Sequence, residues 1–458
     1  MSSTPRVLLV GAYERDNFGD LLFLLVTECY LAGAEVVAAA PFSADMSALL
    51  DREIPAYGPL LRDESFDAIW TVGGQVGRVD VRRAYKMSAG PEAWAEFDAA
   101  PEAVQLAILE HAAGGVAPLS PYIPQPSAYP RNAGAVTVLN SVGIAGVRGV
   151  EPSRRAGLIS ALRGATAIAV RDDSSSALLT GLGIQHRLVP DAVHAISRQY
   201  PAERAPGADT AIVQVSSARL RMLGHARVGR AIARSPQLRG RPVRLLLAGT
   251  ATGHDAVEDY EAVVRAAPGV DIEIVDDRRP LALVEHIRRA RVVVGTSLHV
   301  RIVAAAYGVP RVSLSKPKPT RYAKLWDAAM PFDVALEQLD DAVAAAITLA
   351  ATPAAADHAE RLARTAHDNL QSLSELVLAG AGDKEARAAA RRAFFINSVG
   401  KVYYVPDAAL SERDRPGVQP RPRHRRLHRL AARPVHAARR ARADLRRRRV
   451  DGRDAGQA

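Results

Sequence analysis

The chain has one cysteine, Cys29, in 458 residues, which excludes an internal disulfide and any CxxC redox or metal motif and suits a reducing compartment. Long hydrophobic runs are also missing. The most apolar early segment, Leu21 to Val26, meets Thr27 and Glu28 directly, so it is too short to span a membrane. The N-terminus has no charged head followed by an apolar secretory core, and export by a cleaved signal is not expected. No group of His, Cys, Asp or Glu has metal-ligand spacing, so no metal is expected. A G-x-S-x-G elbow is absent, as is G-x-x-x-x-G-K-[ST], and the glycines near the N-terminus do not fit G-x-G-x-x-G. Serine hydrolase, P-loop and dinucleotide chemistry lose their usual sequence support.

What is present is a chain long enough for two or three domains at about 150 residues each. Hydrophobic residues at 48% and charged residues at 24% are near globular averages, so most of the chain should fold. The net charge of +11 is unevenly placed. From Arg413 to Ala458 there are 16 arginines against 4 aspartates, or +12, and the preceding 412 residues hold 44 basic and 45 acidic groups, or −1. The basic character therefore belongs to the end of the chain and gives no reason for the folded part to bind nucleic acid.

Short β-branched runs alternate with helical patterns, which predicts an α/β fold with parallel sheets. One series of strands is expected at Arg6 to Val10, Glu35 to Ala40, Asp67 to Val72, Ala135 to Asn140 and Thr166 to Val170. A second is expected at Ala211 to Val215, Val243 to Ala248, Asp271 to Val275, Arg291 to Val294 and Arg311 to Leu314. Between them, Ser197 to Asp209 has the Pro201, Pro206 and Gly207 of a hinge. The predicted organisation is a Rossmann-like domain over 1–196 with an insertion at 75–132, a second over 210–355, helices over 356–410, and an arginine-rich, disordered tail over 411–458. The insertion has a helical pattern from about Pro91 to Ala113, then Pro118, Pro121, Pro124, Pro126 and Pro130. It reads as a surface excursion, or as a loop over a cleft that offers Tyr122 and Tyr129 for stacking on sugars.

In open α/β sheets ligands gather at the carboxyl ends of strands, so the loops there are where chemistry is expected. Gly11 to Asp20, GAYERDNFGD, places Asn17 and Asp20 where either can begin a helix starting near Leu21. Gly73, Gly74 and Gly77 would let backbone approach a ligand closely. Arg171 opens RDDSS after a strand; it can grip a carboxylate or phosphate, or pair with Asp172, Asp173 or Asp191. The most legible unit is RVVVG, then Thr296 and Ser297 as caps, a helix from Leu298 to Tyr307, and the stop signals Gly308 and Pro310. His299 falls in that helix's first turn, beside free N–H groups that favour an anion, where an imidazole can transfer protons near neutral pH. Arg301 lies about 200° around the helix and should not share its face. Downstream, Lys316, Lys318 and Arg321 form a cation cluster that suits an anion clamp or a solvated surface.

Taken in order, GAYERDNFGD, Gly73-Gly74, RDDSS, Pro190-Asp191 and SLHVRIVAAAYGVP followed by lysines resemble the polysaccharide pyruvyl transferase family over about residues 6 to 325. The resemblance implies two Rossmann-like domains in a GT-B-like arrangement with the site in the cleft between them. It implies transfer of a pyruvyl group from phosphoenolpyruvate to two hydroxyls of a saccharide or lipid-linked saccharide, with phosphoenolpyruvate as co-substrate and no cofactor. By the same resemblance His299 is the acid/base, Arg171 holds donor charge with Lys316 or Arg321 assisting, and Asp20 and Asp191 are carboxylates for acceptor binding or orientation. The family commonly has Arg-Leu-His where this chain has Ser297-Leu298-His299, so either Lys316, Lys318 or Arg321 replaces that donor cation, the donor site has diverged, or the chain is of a branch without the usual activity. Such an enzyme is expected in the cytoplasm, peripheral at the inner membrane face if the tail tethers it to anionic lipid. A nucleotide-sugar glycosyltransferase, or a diverged scaffold without activity, would use the same architecture.

Overall fold

The computed structural model describes residues 4–201, 209–379 and 401–403. Part of the expected hinge and the whole arginine-rich tail lie outside the described residues.

The first sheet contains β1 (Arg6–Val10), β2 (Glu35–Ala39), β3 (Ala68–Val72), β4 (Val136–Val142), β5 (Ala167–Val170) and β6 (His186–Leu188). The second contains β7 (Ala211–Gln214), β8 (Val243–Leu245), β9 (Ile272–Ile274), β10 (Val292–Gly295) and β11 (Arg311–Ser313). A last strand, β12 (Lys401–Tyr403), returns to the first sheet and pairs antiparallel with β6. The spatial orders are β12-β6-β5-β4-β3-β1-β2 and β9-β8-β7-β10-β11, and all pairs except β12-β6 are parallel. Strands such as AIWTV and VVVG are buried along their whole length because helices cover both faces of a parallel sheet, which leaves no side for polar residues.

Strand order reverses between β1 and β3 in the first sheet and between β7 and β10 in the second, and these switch points open crevices at the carboxyl ends. The loops there meet across the two lobes. α1 (Phe18–Glu28) follows β1, and its Phe18 N–H donates to Ala248 O of the second lobe at 3.0 Å. Asp16 just before it accepts from Thr250 N at 3.1 Å and Thr250 Oγ1 at 2.7 Å, and pairs with Arg278. Gly249 passes so close to the Asp16 and Asn17 backbone that a Cβ would lie 2.5 Å from Asp16 O. One apolar cluster runs through both lobes, joining Leu21, Phe23 and Trp70 to Leu246, Val300 and Ile302.

The insertion forms α2 (Val81–Ser88), α3 (Pro91–Ala99) and α4 (Glu102–Ala112). The single helix expected there is broken because Pro101 pushes Ala100 to extended backbone, with φ −76° and ψ 151°. RDDSS begins α5 (Asp173–Gly181), β10 leads into α6 (Leu298–Ala306), and β11 leads into α7 (Pro317–Trp326). The alanine-rich end forms α8 (Pro353–Ala379), which lays Leu362, Leu370, Leu373 and Leu376 into the core. α8 also returns to the first lobe, where Tyr30 OH and His367 Nδ1 lie 2.7 Å apart and Asn369 Nδ2 donates to Asn140 Oδ1 at 3.0 Å. Two Rossmann-like sheets and a final helix crossing back give the expected GT-B-like arrangement. Among the described residues no single helix is long and apolar enough to cross a membrane.

Candidate active site

The carboxyl ends of both sheets line one cleft of 590 Å³. Its second-lobe wall is built by the strand-to-helix step of β10 and α6. Gln214 at the end of β7 accepts from Ser297 N at 2.8 Å through its side-chain oxygen, and Ser297 Oγ caps α6 by accepting from Val300 N. The N–H groups of Leu298 and His299, at the helix start, have no intrahelical carbonyl to bond. Both residues line the cleft, as does Ser297. Gly308, at φ +66°, ends this segment in the left-handed region before Pro310, as its sequence implies.

His299 is 7% exposed and closely held. A Cβ on Gly19 would fall 1.5 Å from its Nδ1, so only glycine at that place in α1 lets the imidazole sit there. Phe23, one turn further along α1, meets the ring edge-to-face at 5.1 Å. His299 Nε2 lies 3.7 Å from Asp191 Oδ2 and 3.4 Å from Arg171 Nη1. Burial pushes the imidazole below its ordinary value, and Asp191 only partly opposes this. Burial likewise pushes the Asp191 carboxyl up, but the Arg171 charge and His299 outweigh it and hold the carboxyl well below the usual range.

Neither Asp191 nor Arg171 reaches the cleft wall. Asp191 is fully buried, accepts from Val193 N at 3.0 Å, and its own N–H donates to Tyr322 OH at 2.9 Å. Arg171 is 2% exposed, ion-paired with Asp191 and packed over Phe23 at 5.4 Å, and its carbonyl accepts from Trp326 Nε1 at 2.8 Å. The expected grip of Arg171 on a donor anion therefore gives way to a buried triangle in which guanidinium, carboxylate and imidazole each neighbour the other two. Arg301, as expected, faces away and joins a separate network with Asp327, Ser313 and Pro331.

On the first-lobe wall the cap of α1 is Asn17, which accepts from Gly19 N and Asp20 N at 3.1 and 3.3 Å, so the helix begins at Phe18 and not near Leu21. Asn17, Asp20 and Gly74 line the cleft. Asp20 is not a cap: it bonds Arg15 at 2.9 Å, and although burial pushes its carboxyl up, Arg15, His299 and Lys318 hold it below its ordinary value. Gly73 does not line this cleft; at φ +73° its missing Cβ makes room for Phe23, which would otherwise lie 2.1 Å away. It supports the imidazole through that ring.

Lys316 and Lys318 line the cleft and Arg321 does not, because Arg321 lies on the exposed side of α7. Lys316 Nζ donates to Ser216 Oγ at 3.1 Å. Lys318 is pushed down to about 8, first by burial and then by the Arg171 charge. Its side chain also reaches the open cleft, where water tempers that shift.

Several site residues escaped the sequence reading. Arg15 Nη1 donates to Tyr122 OH at 2.7 Å, and Tyr122 OH donates to buried Glu14. Burial raises the Glu14 carboxyl and drives the Tyr122 phenol far up. Tyr122 is thus a buried brace for Arg15 and no sugar platform, and Tyr129 packs on the apolar cluster around Leu8 and Tyr57. Arg219 and His254 reach the cleft from the second lobe. The signal for Arg15 lies in GAYERDNFGD itself, a charged residue between the glycines and the helix cap. Among the described residues, cationic side chains such as Arg15, Arg219, Lys316 and Lys318 outnumber the cleft's two carboxylates, Asp20 and Asp255.

Residues 113–315 match the polysaccharide pyruvyl transferase family. That span holds Arg171, Asp191, Ser297 and His299, is narrower than the expected 6 to 325, and leaves out GAYERDNFGD, Gly73-Gly74 and the cluster from Lys316 to Arg321. The match supports a transferase that modifies polysaccharide. No curated protein matches the chain. Among solved structures, a Listeria monocytogenes protein assigned as a UDP-N-acetylglucosamine 2-epimerase is 12% identical, covering 81% of this chain and 95% of its own, at a TM-score of 0.49. The Neisseria meningitidis UDP-GlcNAc 2-epimerase bound to UDP-GlcNAc is 10% identical, covering 80% and 99%, at 0.44. Anabaena HepE in complex with UDP-glucose is 12% identical, covering 85% and 98%, at 0.43.

Proposed function

We propose, from the family match and the chemistry of the cleft, that this chain transfers a pyruvyl group from phosphoenolpyruvate to two hydroxyls of a saccharide. In the overall reaction the bond between carbon 2 and the bridging oxygen breaks and phosphate leaves with that oxygen. Carbon 2 gains bonds to two sugar oxygens, and the two hydroxyl protons end on the new methyl group and on phosphate.

The observation that carries this reading is the contact of His299 with Asp191 where α6 begins, on a cleft in which cations prevail. Burial keeps the imidazole neutral at neutral pH, so it can accept a hydroxyl proton. The imidazolium so formed is stabilised by Asp191, and Arg171 keeps Asp191 ionised. The same ring can then return the proton to the methylene carbon. Free N–H groups at the start of α6, with Lys316 and Lys318, supply donors for a phosphate and a carboxylate in the place of the family's arginine at position 297.

A thermal-shift series tests the donor. Phosphoenolpyruvate should raise the melting temperature and nucleotide-diphosphate sugars should not, since a ligand stabilises the fold it binds. Stabilisation by a nucleotide sugar with none by phosphoenolpyruvate would overturn the proposal in favour of a glycosyltransferase.

A further inference from the structure

Next to the cleft lies a second cavity of 550 Å³, formed by α2, α3 and the loop 252–254 of the second lobe. Arg83, Met87, Gly253 and His254 line both cavities, so the second adjoins the cleft that holds His299. Trp94 lines the outer cavity half-buried; its ring stacks on Phe97 at 5.2 Å and carries Lys86 at 4.7 Å and Arg82 at 5.9 Å over it. Arg83 and Lys86, one turn apart on α2, are exposed and have no carboxylate partner among the described residues, whereas neighbouring Arg82 is occupied by Asp98 and Gln105. Thr252 Oγ1 donates to Ala89 O at 2.6 Å, which ties the second-lobe loop to the insertion and fixes the wall of this outer cavity.

We infer that this outer cavity is an acceptor subsite for an anionic saccharide: an acidic group on the sugar chain meets Arg83 and Lys86 while the sugar ring packs against the part of Trp94 that lines the cavity. The indole gives a sugar ring apolar contact, and two cations beside it with no carboxylate partner among the described residues confer a preference for negative charge. The acidic group can be a uronate carboxylate or the diphosphate of a carrier-linked sugar, which share this chemistry. The inference rests on the proposed ketal transfer only for the word acceptor. The subsite itself is built by residues 80–94 and 252–254, of which the first group lies outside the span matched by the family.

The test is direct binding without phosphoenolpyruvate, by calorimetry, of three ligands with the same sugar rings: neutral, uronate-bearing and diphosphate-linked. At least one anionic ligand should bind tenfold or more tightly than the neutral one, and whichever does so names the source of the charge. Arg83→Gln with Lys86→Gln should abolish the preference and leave neutral binding and the melting temperature unchanged, as both residues are exposed. Trp94→Ala should weaken all three ligands by a similar factor. Equal binding of all three, or a preference that survives the double substitution, would overturn the subsite. A phosphoenolpyruvate thermal shift measured in the same samples separates the two ideas: its absence alongside a charge preference rejects the donor reading, and its presence without one rejects the subsite.

Discussion

The Cα of Gly19 faces His299 so closely that a side chain there would occupy the position of the imidazole, 1.5 Å from Nδ1. Gly19→Ala should therefore expel the ring from its place beside Asp191 while α1 itself, favoured by alanine, persists. The expected outcome is a fall of about a hundredfold in kcat, the scale of a lost general acid/base, with far-UV circular dichroism unchanged. Full activity in this variant would separate His299 from the chemistry.

Arg171 and Asp191 should behave as a buried pair. Asp191→Asn strands a guanidinium that is 2% exposed, which costs about 3 to 5 kcal/mol in stability when one partner of such a pair is removed. The double variant Arg171→Met with Asp191→Leu should recover part of that loss and remain inactive, because His299 has lost its carboxylate. Urea unfolding and phosphate release measured on the same samples check both halves. Activity in the double variant would show that Asp191 only balances charge.

The donor cations divide by position. Lys316→Ala and Lys318→Ala should each raise the KM for phosphoenolpyruvate by roughly tenfold or more, as expected for one charge-assisted contact, and Arg321→Ala should leave it unchanged. Steady-state kinetics at saturating saccharide give the comparison. An effect confined to Arg321 would move the donor site out of the cleft.

Acid should act on both stability and rate. His194 is wholly buried, with its Nε2 3.0 Å from Tyr322 OH, and burial pushes it down to about 4. A folded value below the unfolded one of about 6.5 means that the unfolded chain binds the proton first, so this contribution is complete above pH 6.5 and is lost as pH falls towards 4. The loss amounts to about 3 kcal/mol from this group and is read as a falling melting temperature between pH 7 and pH 4. His299 is lowered in the same sense, so kcat/KM should rise with pH through an ionisation below 6.5 and then level off. A rate that rises as pH is lowered through 6.5 would require the protonated ring.

How far the sequence foretold this depends on whether each signal was local. All ten expected strands occur, because apolar runs between turn residues suffice for buried parallel strands. The three-residue strands His186–Leu188 and Lys401–Tyr403, the second at the edge of the sheet, have no such pattern. His299 was legible because strand, cap, helix and stop follow one another in the chain. The partner of Arg171 was not, since three aspartates were available. Asp172 is taken by its own helix, accepting from Ser175 N at 2.8 Å and Ser175 Oγ at 2.9 Å, and Asp191 is brought in by the fold. Arg15 and Tyr122 meet across 107 positions, through a proline-rich segment whose path no periodicity describes.

In the proposed pyruvyl transfer His299 moves protons at this cleft. The direct measurement is phosphate release from phosphoenolpyruvate, with proton NMR of the ketal methyl group, using the whole chain and His299→Ala with and without an anionic saccharide. The wild-type chain should release phosphate and form the methyl signal only when both substrates are present, and His299→Ala should bind phosphoenolpyruvate yet form neither product. Equal product from His299→Ala and the wild-type chain would contradict the account.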